Sequence, residues 1–261
     1  MMESPLLYAG VFISSLGSVV GILGLVLIAF KLRKRLQRLE RRISDTMFWV
    51  YFDRTLQPPM PLPRPGGWAV STDFLVELAR LIRTKKPQLV VELGSGLSTL
   101  VSALVLKEIG AGRLISFDHD DAFRRQTEGR LRENGLESIA EVRTASLKQR
   151  VDSPRADPWY DVAEFAEFRD IDILVVDGPP ADVHPEIRGA ALTFFWEQLA
   201  PGGIIVFDDA DRKGERSFVE REVKRLRGVA VEYIETEKGM VVLTKCFEGA
   251  DVEQTTGRLH A

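Results

Sequence analysis

The chain has 261 residues, 45% of them hydrophobic and 28% charged, with a formal net charge of −3. That length accommodates one sizeable globular domain with an appendage, and the near-balanced charge gives no reason to expect nucleic acid as a partner. A single cysteine, Cys246, excludes an internal disulfide and a cysteine metal cluster, which suits a reducing compartment.

From Leu6 to Phe30, 25 residues carry no charge. As a helix they would reach roughly 37 Å, against a hydrocarbon core of about 30 Å, so one transmembrane helix is predicted. The stretch is too long for a signal peptide and ends in Ala29-Phe30-Lys31 without a small-x-small cleavage site. Only MMESP precedes it, whereas residues 31–42, KLRKRLQRLERR, hold seven Lys/Arg and one Glu. This asymmetry predicts that the chain after Lys31 is cytoplasmic. Gly10, Ser14, Gly17, Gly21 and Gly24 form a small-residue stripe on which two such helices could pair as a homodimer. Leu32, Leu36, Leu39 and Ile43 suit an amphipathic juxtamembrane helix whose basic residues meet anionic lipid head groups, or a flank that serves only as a topology signal. Residues 1–56 are read as this membrane unit.

Residues 57–68, QPPMPLPRPGGW, contain five prolines and two glycines and form neither helix nor central strand, so they are read as a linker. A helix is predicted from Ser71, capped by Ser71 or Thr72, with Phe74, Leu75, Leu78, Ala79, Leu81 and Ile82 on its apolar face. Strands are predicted at Leu89–Leu93, Arg113–Phe117, Ala140–Thr144, Ile171–Val176 and Gly203–Phe207. Apolar runs such as DILVVD and GGIIVFDD indicate strands buried on both faces, hence a parallel sheet alternating with helices. Val229–Glu235 and Met240–Lys245 are separated only by a turn around Glu237, Lys238 and Gly239, too short for a parallel crossover, and predict an antiparallel hairpin. Residues 69–247 are thus one α/β domain, and 248–261 a polar, flexible tail.

Ligands of open α/β sheets bind beyond the carboxyl ends of the strands. The first strand runs into LVVELGSGLST, in which Glu92, Gly94, Ser95, Gly96 and Ser98 make a strand, glycine turn and helix start that can cradle a nucleotide. A dinucleotide fingerprint would place a third glycine where Thr99 stands. Asp118 follows about twenty residues later, where a carboxylate can accept both hydroxyls of a ribose, or can cap a helix starting near Ala122. His119 is placed to stack on an adenine edge or to be solvated. The remaining strand ends carry Ala145-Ser146, Asp177-Gly178-Pro179-Pro180 and Asp208-Asp209; Asp209 and Asp211 are also candidate helix caps.

Taken together, VVELGSGLST, SFDHD, RTASL, LVVDGPP and PGGIIVFDDADR with the terminal hairpin resemble the class I S-adenosylmethionine-dependent methyltransferases, most closely the small-molecule, catechol-type O-methyltransferases. The resemblance covers roughly residues 69–247. It implies a Rossmann-like, doubly wound seven-stranded sheet in the order 3-2-1-4-5-7-6, the last strand antiparallel. It also implies S-adenosylmethionine as cofactor, with Gly94, Ser95 and Gly96 at its methionine part, Asp118 at the ribose, and Ala145 and Ser146 at the adenine. In the catechol type, three positions aligned with Asp177, Asp208 and Asp209 hold Mg²⁺, which would lower the pKa of an acceptor hydroxyl.

The chain departs from that type where a lysine would follow the fourth strand, since Gly178-Pro179-Pro180 stands there. Asp177 and His184 then remain as candidate catalytic groups, His184 having the suitable ordinary pKa. Arg188 would bind an anionic substrate group or make a surface salt bridge. Trp159 and Tyr160 would line the acceptor pocket or pack the 148–170 loop. The expectation is a membrane-anchored methyltransferase acting on a hydroxyl of a small or lipid-linked acceptor. The alternatives are an NAD(P)-dependent oxidoreductase and a non-catalytic membrane scaffold of the same fold.

Overall fold

The computed structural model describes residues 5–64, 70–149, 158–180 and 187–246, with no side chain described before Gly24. The chain falls into two compact units, residues 1–50 and 51–261. Helix α1, Pro5–Leu56, runs without a break through the uncharged stretch and the basic segment, and ends in the second unit. One helix therefore stands where a span followed by a separate juxtamembrane helix was expected. The reason is local: no proline or glycine occurs between Gly24 and Pro58. Termination comes at Gln57, with φ of 45°, just before two prolines. Among the described residues no helix is long and apolar enough to cross a membrane. Most of the expected span, 6–23, and all of its glycine stripe except Gly24 lie outside the described side chains. Those that are described, Leu25, Val26, Leu27, Ile28 and Phe30, are exposed. The tail at 248–261 and linker residues 65–68 also lie outside the described residues.

The second unit is built on a seven-stranded sheet: β1 Leu89–Leu93, β2 Arg113–Asp118, β3 Ala140–Thr144, β4 Ile171–Val176, β5 Leu199–Phe207, β6 Val229–Ile234 and β7 Met240–Lys245. Its order is β3-β2-β1-β4-β5-β7-β6, and β7 runs antiparallel to both neighbours. Helices α2 Thr72–Lys85, α3 Leu97–Ile109, α4 Asp121–Glu133, α5 Ala190–Phe195 and α6 Lys213–Val223 connect or flank the strands. Every residue of β1 is buried, as is β4 apart from Asp172, which is why these strands read as continuous apolar runs. β5 begins earlier than expected because Leu199 already pairs with Ile171; an irregularity then intervenes before Ile204 pairs with Ile173. Pro201 and Gly202, within that irregularity, hid the strand's beginning.

The hairpin turn is locked to the end of β5. Ala210 N–H donates to Gly239 O and Asp211 N–H to Lys238 O, both at 3.0 Å. Gly239 (φ +76°) is required there, since a Cβ would fall 2.6 Å from Asp211 N. Ser71 holds the N-cap position of α2, but its buried hydroxyl makes no capping bond. Asp73 instead accepts from Phe74 N–H (2.9 Å) and, across the fold, from Glu237 N–H (2.6 Å). The core holds an aromatic cluster in which Phe117 meets Phe165 and Phe168 edge-on at 4.7 and 5.7 Å, and Phe165 meets Phe195 at 5.0 Å. Full burial of each such ring contributes about 1.5–3 kcal/mol. A small antiparallel ladder of Leu147–Gln149 with Pro158–Tyr160 seals this side, within a segment expected to be loop.

Candidate functional site

Three strand ends converge on one point. Gly94 N–H donates to Phe117 O (2.8 Å) and Asp177 N–H to Leu93 O (2.9 Å), which stitches the turn after β1 to the ends of β2 and β4. Gly94 has φ of +96°, and a Cβ there would lie 2.9 Å from Gly178 N; a Cβ on Gly178 would lie 2.9 Å from Gly94 Cα and 2.6 Å from the Tyr160 hydroxyl. Two glycines are therefore needed for the two backbones to touch. Gly178 precedes Pro179 through a cis peptide bond. Gly96 differs, because a Cβ there meets nothing within 4 Å.

Beneath the turn lies Glu92, which is fully buried. Its Oε2 accepts from the Thr99 hydroxyl (2.5 Å) and the Ser116 hydroxyl (2.7 Å), while Oε1 has no partner among the described residues. Thr99 Oγ1 in turn accepts from Gly96 N–H (2.8 Å). The residue standing in place of a third glycine thus ties the buried carboxylate to the turn. Burial raises the Glu92 pKa, against hydrogen bonds from Ser98, Thr99 and Ser116 that hold it down.

Asp118, at the end of β2, is buried. Its Oδ2 accepts from Ser95 N–H (3.0 Å) and the Ser95 hydroxyl (2.6 Å), and its Oδ1 accepts from Asp120 N–H (2.9 Å). It does not cap α4: Asp120 does, accepting from Ala122 and Phe123 N–H. His119 Nδ1 lies 3.5 Å from Asp118 Oδ1, and its ring is 6.3 Å from that of Tyr160.

These groups border a cavity of about 500 Å³. Gly94, Ser95, Gly96 and Ser98 line one part of it, Asp118 and His119 another, and Tyr160, Asp177, Gly178 and Arg188 a third. Glu92 is buried behind the wall rather than in it. Ala145 is buried in the core and Ser146 is exposed; neither lines the cavity. His184, in 181–186, lies outside the described residues. Trp159 packs, stacked on Phe194 at 6.3 Å, whereas the ring of Tyr160 is buried and lines the cavity. The Tyr160 hydroxyl has no partner among the described residues.

Asp177, Asp208 and Asp209 come together, with ligand atoms within 4.8 Å of one another. Arg188 overturns the surface salt bridge expected of it. It is 4% exposed, its Nη1 donates to Asp209 Oδ2 (2.5 Å) and its Nη2 lies 3.3 Å from Asp177 Oδ1. Arg212 Nη2 holds the other oxygen of Asp209 at 3.1 Å, and Lys238 Nζ is 4.0 Å from Asp208 Oδ2. Asp209, with φ of 61°, does not cap α6, whose N-cap position is Arg212. Burial, then the neighbouring Asp209, push Asp208 up to about 6; burial also raises Asp177, against the pull of Arg188. The two Asp208 oxygens lack hydrogen-bond donors among the described residues and would suit a cation. One oxygen of Asp177 and both oxygens of Asp209 already face guanidinium groups, so with Arg188 in place the set does not fit a divalent ion. No signal in the sequence marks Arg188 as buried.

Residues 91–210 match the family described as a methyltransferase domain, so the stretch from β1 to the end of β5 carries that signature. That stretch is a methyltransferase domain, and the oxidoreductase reading is set aside. No curated protein matches the chain. Among solved structures, it is similar to the O-methyltransferase TomG from Streptomyces achromogenes in complex with S-adenosylmethionine, at 20% identity over 69% of this chain and 82% of that one, with a TM-score of 0.51. A putative O-methyltransferase from Klebsiella pneumoniae matches at 19% over 75% and 90%, with a TM-score of 0.53. The O-methyltransferase from Bacillus cereus in complex with S-adenosylhomocysteine matches at 15% over 77% and 90%, with a TM-score of 0.54. At these identities the likeness concerns the fold.

Two outcomes are expected. Gly94→Ala should lower unfolding stability by roughly 1–3 kcal/mol through strain and the clash with Gly178, while Gly96→Ala should keep the wild-type denaturant midpoint. Equal midpoints for the two variants would contradict this. For Glu92, a folded pKa above the ordinary 4.5 means that the folded chain binds the proton more tightly. Its stabilising contribution is then complete below the ordinary value and is lost as pH rises through the folded one. Wild type should therefore lose stability relative to Glu92→Gln as pH rises above the ordinary carboxylate range, whereas a constant gap would contradict a buried carboxyl.

Proposed function

We propose that this chain transfers the methyl group of S-adenosylmethionine to an oxygen of a small or lipid-linked acceptor, from a domain tethered at a membrane. The observation that carries the reading is that one cavity is bordered by the bare Gly94–Gly96 turn, by Asp118 one strand away, and by Asp177 across the Gly94–Gly178 contact. The cavity suits the cofactor. Gly96 leaves open space above the backbone, and the buried Tyr160 hydroxyl lacks a partner among the described residues, as expected of a donor to a ligand oxygen. Gly94, Ser95, Gly96 and Ser98 would hold the methionine part and Asp118 the ribose. A carboxylate accepts more than the three protein hydrogen bonds Asp118 already receives. His119 is assigned to the adenine end, whereas Ala145 and Ser146, which do not line the cavity, are not.

When bound, the cofactor supplies an electrophilic methyl on a sulfonium, so the protein's task is alignment and proton removal. Asp177, at the cavity wall, is the group assigned to take the acceptor's proton; burial raises its proton affinity, in the direction a general base needs. His184 is a second candidate for that step. The membrane tether is supported by the uncharged stretch Leu6–Phe30, helical along its whole backbone, and by the basic residues after it, which favour a cytoplasmic catalytic domain and contact with anionic lipids. The small-residue stripe from Gly10 to Gly24 suits pairing of two such helices.

The test is calorimetric titration of the full chain with S-adenosylmethionine. Saturable binding is expected, weakened at least about tenfold by Asp118→Ala, the scale of one charge-assisted hydrogen bond, and weakened also by Gly96→Ala. A folded protein that gives no heat with this ligand but binds NADH would overturn the reading.

A further inference from the structure

The acidic cluster after β4 and β5 has its cation built in. Counting only described side chains, three carboxylates, Asp177, Asp208 and Asp209, face three cations, Arg188, Arg212 and Lys238. Among the described side chains the charge therefore balances without an added ion. Arg188 occupies the inner position: it is 4% exposed, bridges Asp177 and Asp209, and points further donors at the carbonyls of Pro179 (3.3 Å) and Asp208 (3.4 Å). A guanidinium so buried and anchored on four groups does not swing away to admit an ion. A divalent cation at bonding distance from Asp177 and Asp209 would sit within a few ångströms of that positive charge and be repelled by it.

We infer that Arg188 takes the place of a divalent metal in this chain, so that its methyl transfer runs without one. A guanidinium supplies charge and hydrogen bonds but no open coordination position. The acceptor is therefore held as a single oxygen and not as a metal-chelated pair of neighbouring hydroxyls. The statement about methyl transfer rests on the methyltransferase reading above. The statement about the cluster does not, because it is read out by metal binding alone.

The experiment is a Mn²⁺ titration of the full chain, followed by the paramagnetic resonance signal of the free ion and by the thermal midpoint. Wild type should leave the free-ion signal unchanged, and neither Mn²⁺ nor a chelator should move its midpoint. Arg188→Met, which removes the charge and keeps the bulk, should gain one Mn²⁺ site at least about tenfold tighter than any in wild type and be stabilised by the ion, and the added change Asp209→Asn should abolish the gain. One Mn²⁺ bound by wild type and lost in Asp209→Asn would overturn the inference, as would a folded Arg188→Met that binds none. If Arg188→Met does not fold, the wild-type titration decides between these outcomes by itself. Absence of S-adenosylmethionine binding would count against the functional reading and leave the Mn²⁺ result standing.

Discussion

The contact between the backbones of Gly94 and Gly178 is the constraint on which the site depends. The turn after β1 and the turn after β4 meet with no side chain between them, since a Cβ on either would fall 2.9 Å from an atom of the other. That approach holds Asp177 beside the glycine turn and lets the Gly94 N–H reach Phe117 O, so the ends of β1, β2 and β4 form one floor. Parallel strands with their carboxyl ends in register place such a floor at the rim of the sheet, where helix α3 opens. The cavity above it is a consequence of this topology, and its chemistry differs from end to end.

At one end, donors and acceptors are arranged around the turn. Thr99 links Glu92 to Gly96, and Ser95 links the turn to Asp118, so the loop is fixed before any ligand arrives. At the other end charges are concentrated, and the buried Arg188 holds Asp177 and Asp209 in place. Tyr160 also borders the cavity, and its burial and the nearby Asp118 push its hydroxyl pKa well up, so it stays protonated.

The sheet was legible in the sequence because strands buried on both faces need unbroken apolar runs. Leu89–Leu93, Ala140–Thr144, Ile171–Val176 and Met240–Lys245 fall where the pattern puts them. The hairpin was legible because its turn is too short for a crossover. Less of the site could be read. The glycine turn and Asp118 follow from strand ends, which are local features, while the grouping of Asp177, Asp208 and Asp209 came from the family resemblance. The burial of Arg188 is not local, since an arginine after a proline-rich loop looks solvated until the strand ends fold around it. The same holds for the Ser95 bond to Asp118, across 23 residues, and for the unexpected strand at Pro158–Tyr160, too short to show a period. Helix α1 was half legible: its apolar and basic halves stand out, but their fusion into one helix is set by the absence of any breaker before Pro58.

The central claim is that the bare turn under the Gly94–Gly178 contact is where the methyl donor sits. A crystal structure of the full chain with bound S-adenosylhomocysteine tests it most directly. The account requires the amino-acid part of the ligand against residues 94–96, the ribose within hydrogen-bond distance of Asp118, and the sulfur facing Asp177. Ligand density elsewhere on the molecule, with the turn uncovered, would contradict it.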